Sequence, residues 1–412
     1  MHLIRPFTAL RPVPERAAEV AAPPYDVLST EEARVRAAGK PWSFLHISKP
    51  EIDLPPGTNP YAPDVYSKAA DNLRRMVAAG VLARDREACY YVYRLIMGSH
   101  VQIGLVAAAS VDHYDTNRIR KHEFTQPDKE DDRVHQIEAL SAQTGPVLMA
   151  YPSTPQVNDI LRQATRGAAD TDITADGSVR HTLWVIRETD RIARVSASFD
   201  AVPALYIADG HHRSAAASRV ASARRARNPK HTGEESYNYF LAVCFPHHQL
   251  RILPYNRVVT DLNGMSADAF LERLSSSFNV ERSAKAVAPA SPGQFGLYLE
   301  GRWHRLFIRA GLIPIGDPVA RLDVSLLADH LLAPMLGIRD SRTDDRIEFV
   351  GGSRGLEELE KRVESGAAAA FSLHPTHMED LMTVADRGEV MPPKSTWFEP
   401  KLADGLVSHV LD

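Results

Sequence analysis

Apolar and polar positions along this chain recur with two different periods, and the switches between them lay out its elements. Runs of period two, or short unbroken apolar stretches bounded by turn residues, predict strands at FTALRPV, ACYYVYRLI, QIGLVAAASV, HTLWVIRE, ALYIAD, YFLAVCF, LRILPYNRVV, RIEFVGG and AAAFSL. ACYYVYRLI and QIGLVAAASV read as a pair turning near Gly98-Ser99, YFLAVCF and LRILPYNRVV as a second pair around His247-His248, and FGLYLEGRWHRLFI as a hairpin around Glu300-Gly301. Helical spacing predicts helices over 62–79, SAAASRVASARRAR, SADAFLERLSSSF, VSLLADHLLAPML, GLEELEKRVESG and HMEDLMTVADRG. A further helix opens at STEEARVRAAG, with Ser29 or Thr30 as its cap and acids in its first turn.

Strands and helices alternate irregularly, which predicts an α+β protein with a mixed sheet rather than a regular doubly wound one. Changes of pattern divide the 412 residues into an N-terminal α/β portion over 1–150, a core over 151–262 and a C-terminal α/β portion over 263–412. No apolar stretch approaches the roughly 20 residues of a membrane helix, and the N-terminus lacks the apolar core of a secretory signal, so a cytoplasmic protein is expected. A net charge of −4 supplies none of the clustered positive charge that nucleic acid requires. Cys89 and Cys244 each lie inside an apolar run and read as reduced core residues. A homo-oligomer is compatible with all of this.

The densest chemistry is Asp209-Gly210-His211-His212-Arg213, between the strand ALYIAD and an alanine-rich helix. A strand, a glycine turn and a helix start leave unpaired N–H groups from 210 to Ser214 facing whatever lies above them, which makes an anion site. Arg213 adds a bidentate charge for phosphate and the histidines add donors. A carboxylate beside phosphate is repulsive unless a metal or proton lies between, so Asp209 points to Mg²⁺; a simple helix cap is the plainer alternative. Adjacent His211 and His212 diverge by about 100° on a helix, and the chain has no HExxH or paired CxxC, so zinc is not expected.

RIRKHEFTQPDKEDDR carries both signs of charge, as phosphoryl transfer requires. Glu123 reads as general base and second metal ligand, His122 as orienter or substrate contact, and Arg120 or Lys121 as neutralising the transferred group. The 129–133 half reads equally as a solvated, salt-bridged helix face. Asn256 and Arg257 after LRILP, and Lys394, Ser395 and Thr396 after a double proline, are weaker substrate-binding candidates. No P-loop, H-R-D or D-F-G set and no G-x-S-x-G elbow occurs, which excludes the architectures they mark.

On ADGHHR and its small-residue helix, the chain resembles the ParB/sulfiredoxin-like superfamily, whose members include free L-serine kinases. Over PPYDVLS, SFLHISKPEIDLP, RKHEFTQPDKEDDR, AQTGP, YIADGHHR, LPYNRVV, GGSRGLEEL and MPPKSTWFEPKL it resembles a large prokaryotic family catalogued as domain of unknown function 1015. The first resemblance implies a ParB/sulfiredoxin-like nucleotide-binding core with large insertions. It also implies an ATP- or ADP-dependent, Mg²⁺-requiring kinase of a small hydroxyl metabolite, with free L-serine the best single acceptor. The rival it implies is a nucleotide-binding or hydrolysing regulatory protein with no small-molecule acceptor.

Overall fold

The computed structural model describes residues 2–175 and 179–412. They form two compact units, unit 1 from residues up to Leu250 together with Pro400–Asp412, and unit 2 from Arg251–Glu399. The expected boundary at 150 therefore falls inside a strand of unit 1, and the chain's last residues return to the unit in which it began.

Early helices of unit 1 include α1 (Thr30–Ala37) and α2 (Pro63–Ala78). Ser29 accepts from the Glu32 N–H while the Glu32 side chain accepts from the Ser29 N–H, a reciprocal cap that fixes where α1 starts. Val65, Ala69, Leu73 and Met76 recur at helical spacing and bury one face of α2. There follow β1 (Tyr90–Met97), β2 (His100–Ser110), β3 (Ile119–Arg120), α3 (Pro127–Leu140), β4 (Val147–Tyr151), β5 (Thr171–Thr174), β6 (Arg180–Ile186), β7 (Leu205–Asp209), α4 (His211–Arg227) and β8 (Tyr239–Pro246). The nine-stranded mixed sheet runs β3-β7-β4-β8-β2-β1-β6-β5, and Ile4–Arg5 pairs β2 as the ninth strand. Its central strands are buried on both faces, with Tyr90, Leu105, Met149, Ile207 and Cys244 fully buried. That explains why they read as unbroken apolar runs. Cys89 and Cys244 are free thiols, both buried.

The expected partnership of YFLAVCF with LRILPYNRVV does not form. β8 lies antiparallel to β2 and parallel to β4, while Arg251–Leu253 pairs with Trp397–Glu399 inside unit 2. The apparent hairpin loop at His247-His248 is a 3-10 turn at which the chain leaves one unit for the other.

Unit 2 continues with β9 (Tyr255–Val259), β10 (Phe278–Ser283), β11 (Gln294–Leu299), β12 (Arg302–Ile308), β13 (Ile347–Gly351) and β14 (Ala369–Leu373). They form a six-stranded antiparallel sheet in the order β10-β12-β11-β14-β9-β13. β11 and β12 are the expected hairpin, with Glu300 and Gly301 both at positive φ, as a two-residue turn between twisted strands requires. No helix among the described residues is long and apolar enough to cross a membrane.

Candidate functional site

Two chain segments far apart in sequence meet at the edge of the large sheet. β3 pairs in parallel with β7, Leu205 beside Ile119 and Tyr206 beside Arg120, so residues 121–126 leave the sheet next to Asp209 and the start of α4. The β7–β4 register shifts between Ile207 and Asp209, an irregularity of the kind that re-aims a side chain at a strand end. Gly210 follows at φ 103° and opens α4 with no side-chain cap. Any other residue would be strained there, and a Cβ would lie 3.0 Å from Nε of Arg213.

His211 lies behind this turn, buried, with its ring edge-on to His122 at 4.4 Å between centroids. The His122 backbone N–H donates to Nε2 of His211 (3.4 Å), which leaves the proton on Nδ1, 3.5 Å from Oε2 of Glu123. Burial, with His122 adding to it, holds His211 well below the usual histidine range, so it is neutral. Burial also brings His122 down to about 4. Nδ1 of His122 is buried without a partner. Donor atoms of His122, Glu123 and His211 lie within 4.8 Å of one another. His212 does different work: its Nε2 accepts from the Gln126 N–H at 3.0 Å and pins the loop that carries Glu123.

Asp209 lies between two cations, Lys401 Nζ at 3.1 Å on one oxygen and Arg213 at 3.6 Å on the other. Burial works to raise its pKa, yet Lys401 and Arg213 hold it well below the usual carboxylate range. The expected metal ligand is thus charge-balanced by side chains of the protein itself. Arg213 also donates to the Pro146 carbonyl and packs on Gly145, whose Cβ would approach Cδ of Arg213 to 3.3 Å. Beneath it is a cavity lined by Tyr25, Arg133, Thr144, Gly145, Arg213 and Asp404. Arg133 stacks over Tyr25, 3.9 Å from the ring centroid. The reading of 129–133 as a solvated face holds for Glu130 and Asp131, which pair with Arg219, but Arg133 is turned inward.

Several sequence candidates serve other ends. Lys121 donates to the Tyr114 carbonyl at 3.2 Å and lies over that ring, and burial lowers its pKa. It is therefore engaged away from the turn. The Ser214 hydroxyl donates to the His211 carbonyl within α4. Arg120, by contrast, stays beside β7 at the site's edge, 5.7 Å from the centroid of the Tyr206 ring. Asn256, Arg257, Lys394, Ser395 and Thr396 belong to unit 2. There Asn256 accepts from the Leu373 N–H, Arg257 donates to the Tyr255 and Lys394 carbonyls, and Ser395 donates to the Pro392 carbonyl. These buried groups satisfy unit 2's own backbone.

The residues missed from sequence are Tyr25, Arg133, Lys401 and Asp404. Tyr25 and Arg133 belong to PPYDVLS and KEDDR, whereas Lys401 and Asp404 arrive because Ser408–Val410 inserts between Ala9–Pro12 and Ala142–Gln143. Burial pushes Asp404 up to about 7, against the charge of Arg213, and one of its oxygens has no partner. An unfolded aspartate titrates near ~3.9. The fold therefore binds an extra proton between the two values, and stability falls as pH rises through that window. Asp404→Asn removes this term, so its stability relative to the parent, read by urea unfolding, should improve steadily as pH rises from about 4 to about 8. A difference that stays constant with pH would mean that Asp404 is ionised throughout.

The family model described as "Protein of unknown function (DUF1015)" matches residues 4–325. No curated protein matches the chain. Among solved structures, a conserved hypothetical protein from Pyrococcus furiosus is 14% identical at a TM-score of 0.34, over 73% of this chain and 95% of that one. A free serine kinase in complex with AMP is 13% identical at 0.35, over 73% and 92%. SbnI from Staphylococcus aureus, truncated at its C-terminus, is 12% identical at 0.37, over 73% and 85%. Likeness at this level carries no weight for activity.

Proposed function

We propose, from the premise that the chain belongs to the DUF1015 family, that it binds a nucleotide at the start of α4 and transfers a phosphoryl group to a small hydroxyl compound. The observation that carries this reading is the parallel pairing of β3 with β7. Through it a partly exposed carboxylate, Glu123, stands beside an uncapped, glycine-opened helix start. Plain anion binding has no use for that carboxylate; phosphoryl transfer needs one to take the acceptor's proton.

The N–H groups of residues 210–213 and the guanidinium of Arg213 bind the nucleotide phosphates, the Ser214 N–H being taken by the Gly210 carbonyl. His211 keeps Glu123 in place through Nδ1–H, and His212 holds the loop behind it. Glu123 accepts the hydroxyl proton as the acceptor oxygen bonds to phosphorus and the bond to the nucleotide's bridging oxygen breaks. ADP leaves if the donor is ATP, and AMP if it is ADP. Of the two cations expected to neutralise the transferred group, Arg120 keeps that role and Lys121 does not. Free L-serine is the acceptor that the resemblance of the ADGHHR box points to.

Mg²⁺ takes carboxylate and phosphate oxygens together, and when bound it neutralises phosphate charge. Glu123, with its partly exposed carboxylate, would be the residue to hold it, whereas both oxygens of Asp209 are engaged by Lys401 and Arg213. Consumption of ATP or ADP, assayed with L-serine and a panel of hydroxy acids and amino acids, is expected to require Mg²⁺ and to rise with the true acceptor. A nucleotide that binds but is never consumed would favour the regulatory reading.

A further inference from the structure

Unit 2 contains a cavity of about 400 Å³, separate from every residue used above and within the size range of small-ligand sites. One wall is hydrocarbon, from Ile313, Ile315 and Leu322, and Ile315 is 80% exposed. The other wall is polar. Arg321 and Asp380 are paired across it at 2.6 Å and cancel each other's charge. Asp323 remains: its Oδ1 accepts from the Gly293 N–H at 2.7 Å, while Oδ2 is buried with no partner. The tie to Gly293 uses one oxygen only. The second, closed off from solvent, is a hydrogen-bond acceptor left unsatisfied in a side chain that lines the cavity.

We propose that this cavity binds a small organic cation, an amine with an apolar body, whose ammonium group meets Asp323 and whose hydrocarbon lies against Ile313 and Ile315. The charges decide the class. With Arg321 and Asp380 cancelled, Asp323 is the remaining acid of the lining, and a monocation that draws it into its ionised form supplies the counter-charge it lacks, which an alcohol or an anion cannot do. Burial, with Asp380 adding to it, pushes Asp323 up to about 7, as befits an acid whose counter-charge is missing. His374 and His377, with rings 5.2 Å apart, offer further polar contacts. A metal ion fits less well. Among the described residues, three donors close enough to share one ion are found at His122, Glu123 and His211, in the other unit.

The full chain is titrated by calorimetry with phenethylamine, and separately with the isosteric 2-phenylethanol and phenylacetate. Saturable one-to-one binding of the amine is expected, with the alcohol and the acid at least about ten-fold weaker, the scale of one charge-assisted contact. Asp323→Asn should weaken the amine by the same factor. Ile315→Lys, at an exposed position that does not threaten folding, should weaken it by placing a like charge at the apolar wall. Failure of the amine to bind, equal binding of amine and alcohol, or amine binding unchanged in both variants would each overturn the proposal. None of these outcomes depends on nucleotide, so the unit 1 reading stands or falls separately.

Discussion

Glu123→Gln is expected to lower turnover by about 10²–10⁴, the scale of a lost general base, while nucleotide affinity stays within a few-fold. Gln keeps the shape and one acceptor oxygen, so the contact from Nδ1–H of His211 survives and the loop pinned by His212 is undisturbed. What disappears is the capacity to take a proton. Steady-state kinetics with the identified acceptor, paired with calorimetric titration of nucleotide, separates the two effects. Normal turnover in the Gln variant would remove Glu123 from the mechanism and leave Asp209 as the carboxylate to test next.

Arg213→Ala is expected to fail twice over. Nucleotide affinity should fall by roughly ten-fold or more, because a charge-assisted contact to phosphate is lost. Stability should fall by about 1–3 kcal/mol as well, since the Pro146 carbonyl loses its donor while Asp209 keeps Lys401. The side chain of Arg213 is only 11% exposed. It faces Asp209 and Asp404, donates to the Pro146 carbonyl, and its pKa is raised although burial opposes this. From sequence alone the residue reads purely as a phosphate ligand, and a binding defect in an intact fold is the natural expectation. Arg213→Lys separates the two losses, since it keeps the charge but lacks the planar fork. Its affinity should drop with a smaller change in unfolding free energy. An Ala variant with unchanged affinity would displace the phosphate site from this turn.

Much of the local architecture is legible along the chain. The cap at Ser29, the hairpin at Glu300-Gly301, the pairing of β1 with β2 and the glycine turn before α4 all follow from short-range patterns, and all are present. α4 starts at His211 rather than at the Ser214 read from alanine content, because turn geometry at Gly210, not propensity, decides where a helix begins. The reading of YFLAVCF failed for a comparable reason. An unbroken apolar run identifies a buried strand without naming its partner, and β8 found β2 and β4 instead. Zinc was discounted because neighbouring histidines on one helix diverge. The imidazole that approaches His211 is that of His122, from a separate strand end.

The chain by itself determined many of the helices and strands, where Gly210 breaks the backbone, and that Asp209, Arg213 and Glu123 are unusual in their company. Those properties depend on periodicities of two and 3.6 residues and on the φ preference of one glycine, all of which act over a few neighbouring positions. Only the tertiary structure decided that Lys401 clamps Asp209, that Arg133 and Asp404 share a cavity with Arg213, and that Asn256 and Arg257 serve unit 2's own backbone. Those pairings were decided by burial and by desolvation of charge. A buried ion needs a counter-charge or hydrogen bond from whichever segment the sheet order brings alongside it, at any distance along the chain.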